Sequence, residues 1–259
     1  MNLKALAKSV PFLREVLREP WRKYHQWRYD AERLIEQEFR GRENVQVVQI
    51  GSNDGLSGDP VHSLLLRNPS WQALLVEPVP FLFERLQRNY PAEPRFQFAN
   101  VAIAESEGAQ PFYYIGEAAK ERAAEVSQHF DQLGSFDREH IARHCGTALD
   151  SFIVTANIPT LPLPVLLERN GVSRMDLLHI DVEGYDWMVL RQLDLRHFQP
   201  AVILFEHKHF SDETRQAAHR FLEDDYAITN LGADCFCRRK RSRRAVTNHG
   251  SAKPGKSSI

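Results

Sequence analysis

Four short groups of residues in this 259-residue sequence combine types that can do chemistry. The first is Gly51-Ser52-Asn53-Asp54-Gly55, which follows the apolar run 45–50. Glycines at such a point let the backbone close on a ligand and adopt positive φ, and the carboxyl end of a parallel strand is where open α/β sheets seat ligands. A dinucleotide fingerprint would need glycines at 51, 53 and 56, where this chain has Asn53 and Leu56, and no G-x-x-x-x-G-K-[ST] pattern occurs there, so a diphosphate ligand is disfavoured. The second group is Glu77, which ends the next apolar run 26 residues after Gly51. A carboxylate in that place can accept both ribose hydroxyls of an adenosine-type ligand. Alone it would read as an exposed acid or a cap for the following helix; paired with the glycine turn, the ligand reading wins.

The third group, Asp181-Val182-Glu183-Gly184, carries two carboxylates at period-2 spacing beyond an apolar run, with His179 just before them. Such a pair could orient an acceptor hydroxyl, take its proton or hold a hard cation. Glu183 competes as a dipole partner for the next helix, and His179 reads as a buried strand histidine. The fourth group, Glu206-His207-Lys208-His209, closes another run 25 residues beyond Asp181. Neighbouring strand tips would bring Glu206, His207 and His209 near Asp181 as a base or metal constellation. General-base use by His207 ranks ahead of metal ligation, which needs three or four converging groups, and no metal site is assigned. Cys235 and Cys237 lack a second cysteine pair and read as ordinary thiols.

These groups need elements to hold them. From Val45 onward short β-rich runs alternate with helical stretches, the sign of βαβ units and a mainly parallel sheet. Strands are expected over 45–50, 73–76, 96–102, 176–181 and 201–206, an extra one over 111–115, and a final hairpin from 226–231 and 234–238 through Gly232. Helices are expected from Asp59 and Pro60, and over 80–89, 163–170, 185–193 and 215–222. Residues 116–160 read less regularly and are expected to insert over the acceptor site; Ser135, Asp137, Arg138, His140 and His144 fall there without assigned roles. Residues 1–40 carry an apolar stripe at helical spacing, broken by Pro11 and Pro20, and are expected to form a helical extension docked on the domain of residues 41–238.

The 42% hydrophobic and 26% charged composition is that of a globular chain. Thirty-three Lys and Arg against 34 Asp and Glu give a net charge of -1, but eight of the positives lie from Arg238 onward with no acid among them, which leaves nine excess negatives on residues 1–237. Residues 239–259 are expected to be a basic flexible tail. No apolar run approaches the ~20 residues needed to span a bilayer, Lys4, Lys8 and Pro11 interrupt any secretory leader, and three cysteines suit a reducing, cytoplasmic compartment.

The span from Val45 to about Leu231 resembles the FkbM-type family of S-adenosylmethionine-dependent methyltransferases. The resemblance is carried by 48–55 (VQIGSNDG) with Asp59-Pro60, Val76-Glu77-Pro78-x-Pro80 with Phe83, Leu86 and Asn89, Asn100-Val101-Ala102-Ile103, 178–185 (LHIDVEGY) and 202–208. It implies a Rossmann-like class I methyltransferase: α/β, a mainly parallel seven-stranded sheet with helices on both faces and an antiparallel last strand. It implies S-adenosyl-L-methionine as cofactor and O-methylation of a sugar, glycolipid or polyketide-like acceptor. Position by position, it sets Gly51, Ser52, Asn53 and Gly55 around the methionine part, Glu77 on the ribose, Asn100 and Val101 beside the adenine, and Asp181 facing the transferred methyl. Gln49 stands where many methyltransferases carry an acid, which leaves Asp54, Asp59 or Asp181 to neutralise the cofactor's amino group. The catalytic candidates are therefore Asp181, His207 and Glu183. The acidic body suits a cationic cofactor. Rival readings are a nucleic-acid methyltransferase that uses the basic tail, disfavoured for want of an Asn/Asp-Pro-Pro-Tyr-like motif, and a non-catalytic cofactor-binding protein of the same fold. Weak peripheral contact with membranes through the two ends is compatible with either.

Overall fold

The structure, a computed structural model, describes residues 30–119, 133–145 and 149–241. The helices expected within residues 1–29 and the tail beyond Arg241 lie outside the described residues. The chain enters with helix α1 (Ala31–Phe39), capped by the Asp30 carboxylate on the Arg33 N–H at 3.0 Å. Strand β1 (Gln46–Ile50), helix α2 (His62–Arg67), β2 (Gln72–Val76), α3 (Pro80–Asn89) and β3 (Phe96–Ala99) follow as βα units. Proline at the first position of α3 costs the helix no hydrogen bond, which is why its start is sharp. Next come β4 (Ala102–Ile103), β5 (Gly108–Ile115), β6 (Gly134–Ser135), α4 (Arg138–Cys145) and β7 (Ile153–Leu161). The chain then runs through α5 (Leu163–Arg169), β8 (Leu177–Ile180), α6 (Asp186–Leu190), β9 (Val202–Glu206), α7 (Asp212–Leu222), β10 (Tyr226–Asn230) and β11 (Asp234–Arg239).

Seven strands form one sheet in the order β10-β11-β9-β8-β1-β2-β3. Its pairs are parallel except for β11, which runs antiparallel to both β9 and β10. This is the α/β class I methyltransferase architecture, with the antiparallel last strand that the resemblance implies. The central strands are apolar on both faces because each face is covered. Val47, Ala73, Leu75 and Leu177 pack with Ile35 and Phe39 of α1, Leu64 and Leu65 of α2, and Leu86 of α3. On the other face Val48, Leu74, Leu178 and Ile203 pack with Leu163 and Leu166 of α5, Val189 and Leu190 of α6, and Leu222 of α7.

A second, four-stranded sheet in the order β4-β7-β5-β6 leans on α3 through Val79, Leu82, Ala102, Phe112 and Ile158. The sequence hints only at part of β5. The strand expected over 96–102 stops at Ala99, because Asn100 turns the chain and Ala102–Ile103 pairs with β7 instead. The helix expected from Asp59 starts at His62; the Asp59 carboxylate takes the Val61 N–H at 2.8 Å within a preceding turn. Helix α7 begins three residues earlier than expected, where the Ser211 hydroxyl accepts the Thr214 N–H at 3.1 Å. Strand β11 extends to Arg239, and Lys240 is still held, its N–H donating to Asp225 O at 2.8 Å. Among the described residues no helix is long and apolar enough to cross a membrane.

Candidate active site

The carboxyl ends of β1, β2 and β8 meet at one place. Gly51 has φ +81°, and a Cβ on it would lie 1.8 Å from the backbone oxygen of Asp181. Only glycine lets the β1 loop pass so close to the tip of β8. The N–H groups of Gly51 and Ser52 both donate to Val76 O, at 3.0 and 2.9 Å, and the Ser52 hydroxyl accepts the Val76 N–H at 3.1 Å. The loop is thus stitched to the end of β2. Glu77 completes the joint: Oε2 accepts the Asn53 N–H and Oε1 the Val79 N–H, each at 2.8 Å. Burial pushes this carboxyl up from 4.5 to about 7, against those two hydrogen bonds and with some help from the Asp54 charge.

Asp181 continues the pairing of β8, its N–H donating to Ile50 O at 2.9 Å. Its side chain opens into the cleft. Its pKa is raised, first by loss of bulk solvent in that recess and then by Glu183, Glu206 and Asp234, while Lys208 opposes. Asp186, fully buried at the start of α6, accepts the Glu206 N–H at 3.1 Å and so ties the tip of β9 to the β8–α6 turn. Burial and the neighbouring acids push its pKa up as well.

These tips border a cleft of about 1000 Å³, the open solvent at its mouth included. Gly51, Ser52, Asn53, Glu77, Val101 and Asp181 line it, and Glu183 does too. Its described wall holds four carboxyls, with Asp59 the fourth, and neither lysine nor arginine. The second sheet also lines the cleft through Ile103, Phe112 and Ser135, and Phe136 joins them just beyond β6. Phe136 stands edge-on to Phe112 at 5.0 Å and tilts against Tyr185 at 5.1 Å, making an aromatic corner of the cleft.

Three candidates do not border this cleft. Gly55 packs on α3, where a Cβ would lie 2.4 Å from Leu86 Cδ1. Asn100 donates its amide to Glu77 O and Pro78 O at 2.8 and 3.0 Å, so it shapes the turn that presents Glu77. His207 faces a separate pocket against α7, with Phe205, Phe210 and Arg215; burial and Arg215 lower its pKa. His179 is buried at the cleft floor and is pushed down to about 4 by burial alone. Of the acids named as partners for the cofactor's amino group, Asp59 and Asp181 line the cleft, whereas Asp54 caps its own loop through the Leu56 and Ser57 N–H groups.

Sequence reasoning missed Phe136 and Tyr185, and it gave His140 no role although that residue lies 4.0 Å from Glu183. No local spacing marks Phe136 or His140, which come from a segment whose only signal is irregularity, whereas Tyr185 ends the 178–185 motif but was given no role of its own.

A family description, the methyltransferase FkbM domain, matches residues 49–232. No curated protein matches the chain. Among solved structures, that of a fibrillarin/Nop5p complex aligns at 13% identity and TM-score 0.41, over 77% of this chain and 74% of its own. A Listeria monocytogenes protein described as a possible class I S-adenosylmethionine-dependent methyltransferase aligns at 12% and 0.41, over 87% and 60%. MycE, a methyltransferase of the mycinamycin pathway in complex with Mg and S-adenosylhomocysteine, aligns at 12% and 0.38, over 86% of this chain and only 49% of MycE.

Proposed function

Because the chain belongs to the FkbM methyltransferase domain family, whose cofactor is S-adenosylmethionine, we propose that it moves the sulfonium methyl to a hydroxyl oxygen of a sugar, glycolipid or polyketide-like acceptor. One observation carries the reading: a single cleft gathers the Gly51–Asn53 loop, Glu77 and Asp181 at three adjacent strand tips. Its described wall, which holds four carboxyls and neither lysine nor arginine, fits a cationic ligand. When bound, the cofactor supplies an electrophilic methyl on positively charged sulfur.

The chain's own groups would do the rest. Each oxygen of Glu77 already accepts one backbone N–H and keeps a lone pair for a ribose hydroxyl. Val101 and Leu82 offer apolar surface to the adenine. Asp181 is the base we assign to the acceptor's hydroxyl proton, taken as oxygen attacks in line with the departing sulfur; Glu183 stands beside it on the same wall. Phe136 and Tyr185 exclude water from that end of the cleft and, with the segment 133–145, define the acceptor side. His207, in its separate pocket, is given no part in the transfer.

Isothermal titration tests the cofactor assignment: S-adenosylmethionine should bind the parent and bind Glu77→Ala far more weakly. Unchanged binding by the variant, or none by the parent, would sink it. Labelled methyl offered to glycan, glycolipid and macrolide hydroxyls should then appear as an ether. Label on an oligonucleotide instead would overturn the acceptor class and favour the nucleic-acid reading.

A further inference from the structure

At the edge of the cleft, three side chains from distant parts of the sequence come together: His140 of α4, Glu183 of the β8–α6 turn and His209 beyond β9. One ligand-type atom from each lies within 4.8 Å of the other two. Glu183 Oε2 is 4.0 Å from His140 Nε2 and 3.7 Å from His209 Nε2. We propose that His140, Glu183 and His209 form a binding site for one divalent transition-metal ion of the zinc, iron(II) or manganese type, which shares Glu183 with the methyl-transfer cleft.

The donor set selects the ion. Two imidazoles and one carboxylate suit zinc and its first-row neighbours and leave coordination positions open, whereas magnesium and calcium prefer all-oxygen cages. Metal–ligand bonds of about 2.1 Å put donors in a tetrahedral site roughly 3.3 Å apart, so side-chain ends must close by about 1 Å or less in the two measured pairs. The turn that carries Glu183 packs against both histidines. Gly184 has φ +90°, and a Cβ there would meet His140 Cε1 at 3.4 Å and His209 Cβ at 3.5 Å, so the residue between the imidazoles is one without a side chain. The two rings already meet edge to face at 4.9 Å. Exposure of 10%, 16% and 19% for the three side chains gives an ion a way in while most competing water is excluded.

Lys208 competes with an ion for Glu183. Its ammonium lies 3.9 Å from Glu183 Oε2 but 2.5 Å from Glu206 Oε1, and its side chain is 42% exposed. It can therefore remain on Glu206 while the ion takes Glu183. Glu206 Oε2, 3.6 Å from His209 Nε2, adds negative charge behind the site.

The role of the ion, though not its binding, rests on the methyl-transfer reading. An acceptor hydroxyl on an open position of the ion would give up its proton to Asp181 more readily. The oxygen's electron pair would then form the O–C bond as the C–S bond breaks and its pair stays on sulfur.

The test uses the tag-free full-length protein after chelator treatment, with no cofactor present. Cobalt(II), a spectroscopic substitute for zinc, is titrated by visible absorption and zinc by calorimetry, in the parent and in Glu183→Gln, His140→Ala and His209→Ala. Circular dichroism and urea unfolding check the fold of each variant, and S-adenosylhomocysteine binding is measured in the parent. We expect one ion per chain with ligand-field bands, and affinity about 100-fold or more weaker in each variant. No stoichiometric ion in the parent, or equal binding in all three folded variants, overturns the site. If S-adenosylhomocysteine binds and the metal does not, the metal inference alone fails. If the metal binds and S-adenosylhomocysteine does not, the cofactor reading fails and the site stands.

Discussion

Replacing Gly51 with alanine tests the joint between the glycine loop and Asp181 directly. The new Cβ would sit 1.8 Å from Asp181 O and 2.8 Å from Asp181 C, both backbone atoms that cannot rotate aside. Relief requires moving the tip of β8 from β1 by more than 1 Å, against the Asp181 N–H to Ile50 O bond of 2.9 Å and the loop's two bonds to Val76 O. Holding alanine at φ +81° costs about 1–2 kcal/mol. Overpacking adds about 1–3 kcal/mol, and one or two weakened hydrogen bonds add about 1 kcal/mol each. The sum is roughly 3–7 kcal/mol, a large share of a domain's stability. Gly58→Ala supplies the control, since Gly58 has φ +75° but nothing within 4 Å of its Cβ position, so only the backbone term of about 1–2 kcal/mol applies. Urea unfolding of both variants at matched m-values, with S-adenosylhomocysteine titrated into each, isolates the steric part. We expect Gly51→Ala to be at least about 2 kcal/mol less stable than Gly58→Ala and to lose ligand binding. A difference below about 1 kcal/mol would refute the close approach as the reason for glycine at this position.

Further expectations follow from the same geometry. Glu77 has its pKa raised from 4.5 to about 7, so the folded state holds its proton more tightly than the unfolded chain. Stability from this group is complete below pH 4.5 and declines by about 3 kcal/mol as pH rises to 7; Glu77→Gln should remove that slope in urea melts at pH 4.5 and 7, and parallel slopes would mean that the two N–H bonds keep the carboxylate charged. Arg95 Nη1 donates to Leu65 O, Asn68 O and Trp71 O at 2.8, 3.2 and 3.2 Å, and its guanidinium lies 4.1 Å from the Phe96 ring centroid. Arg95→Lys cannot reproduce that fork, so thermal unfolding should show a loss of about 2 kcal/mol; no loss would reduce these bonds to surface contacts. Asp181→Asn should lower kcat for methyl transfer by about 100-fold or more while S-adenosylhomocysteine affinity changes little; an equal fall in both would make Asp181 a cofactor ligand rather than the base.

Much of the fold was legible because its signals are local. Apolar runs ended by glycine or acid marked β1, β2, β8 and β9, and Pro80 set the start of α3 to the residue. That the glycine turn, Glu77 and Asp181 would border one cleft was readable as well, since in a parallel sheet successive strand tips lie on one edge. The second sheet was less legible: β4 is two residues long, and its pairing with β7 spans 58 residues from Ala102 to Thr160.

Residue order by itself determined the α/β class and the strand that runs into Gly51, because each depends on periodicity and spacing within a few turns of chain, while the family was legible only as a resemblance carried by motifs spread from residue 48 to residue 208. Tertiary structure decided where His207 and His209 go. Strand alternation would put both on one side, but the chain leaves the sheet after Glu206 and turns, with the Phe210 N–H on His207 O at 3.1 Å. His207 therefore faces α7, while His209 comes beside Glu206, Glu183 and His140. No periodicity relates positions 140, 183 and 209. They meet only because α4, the β8–α6 turn and the end of β9 are packed at one edge of a folded sheet, and long-range packing of that kind is not written in any local stretch of the sequence.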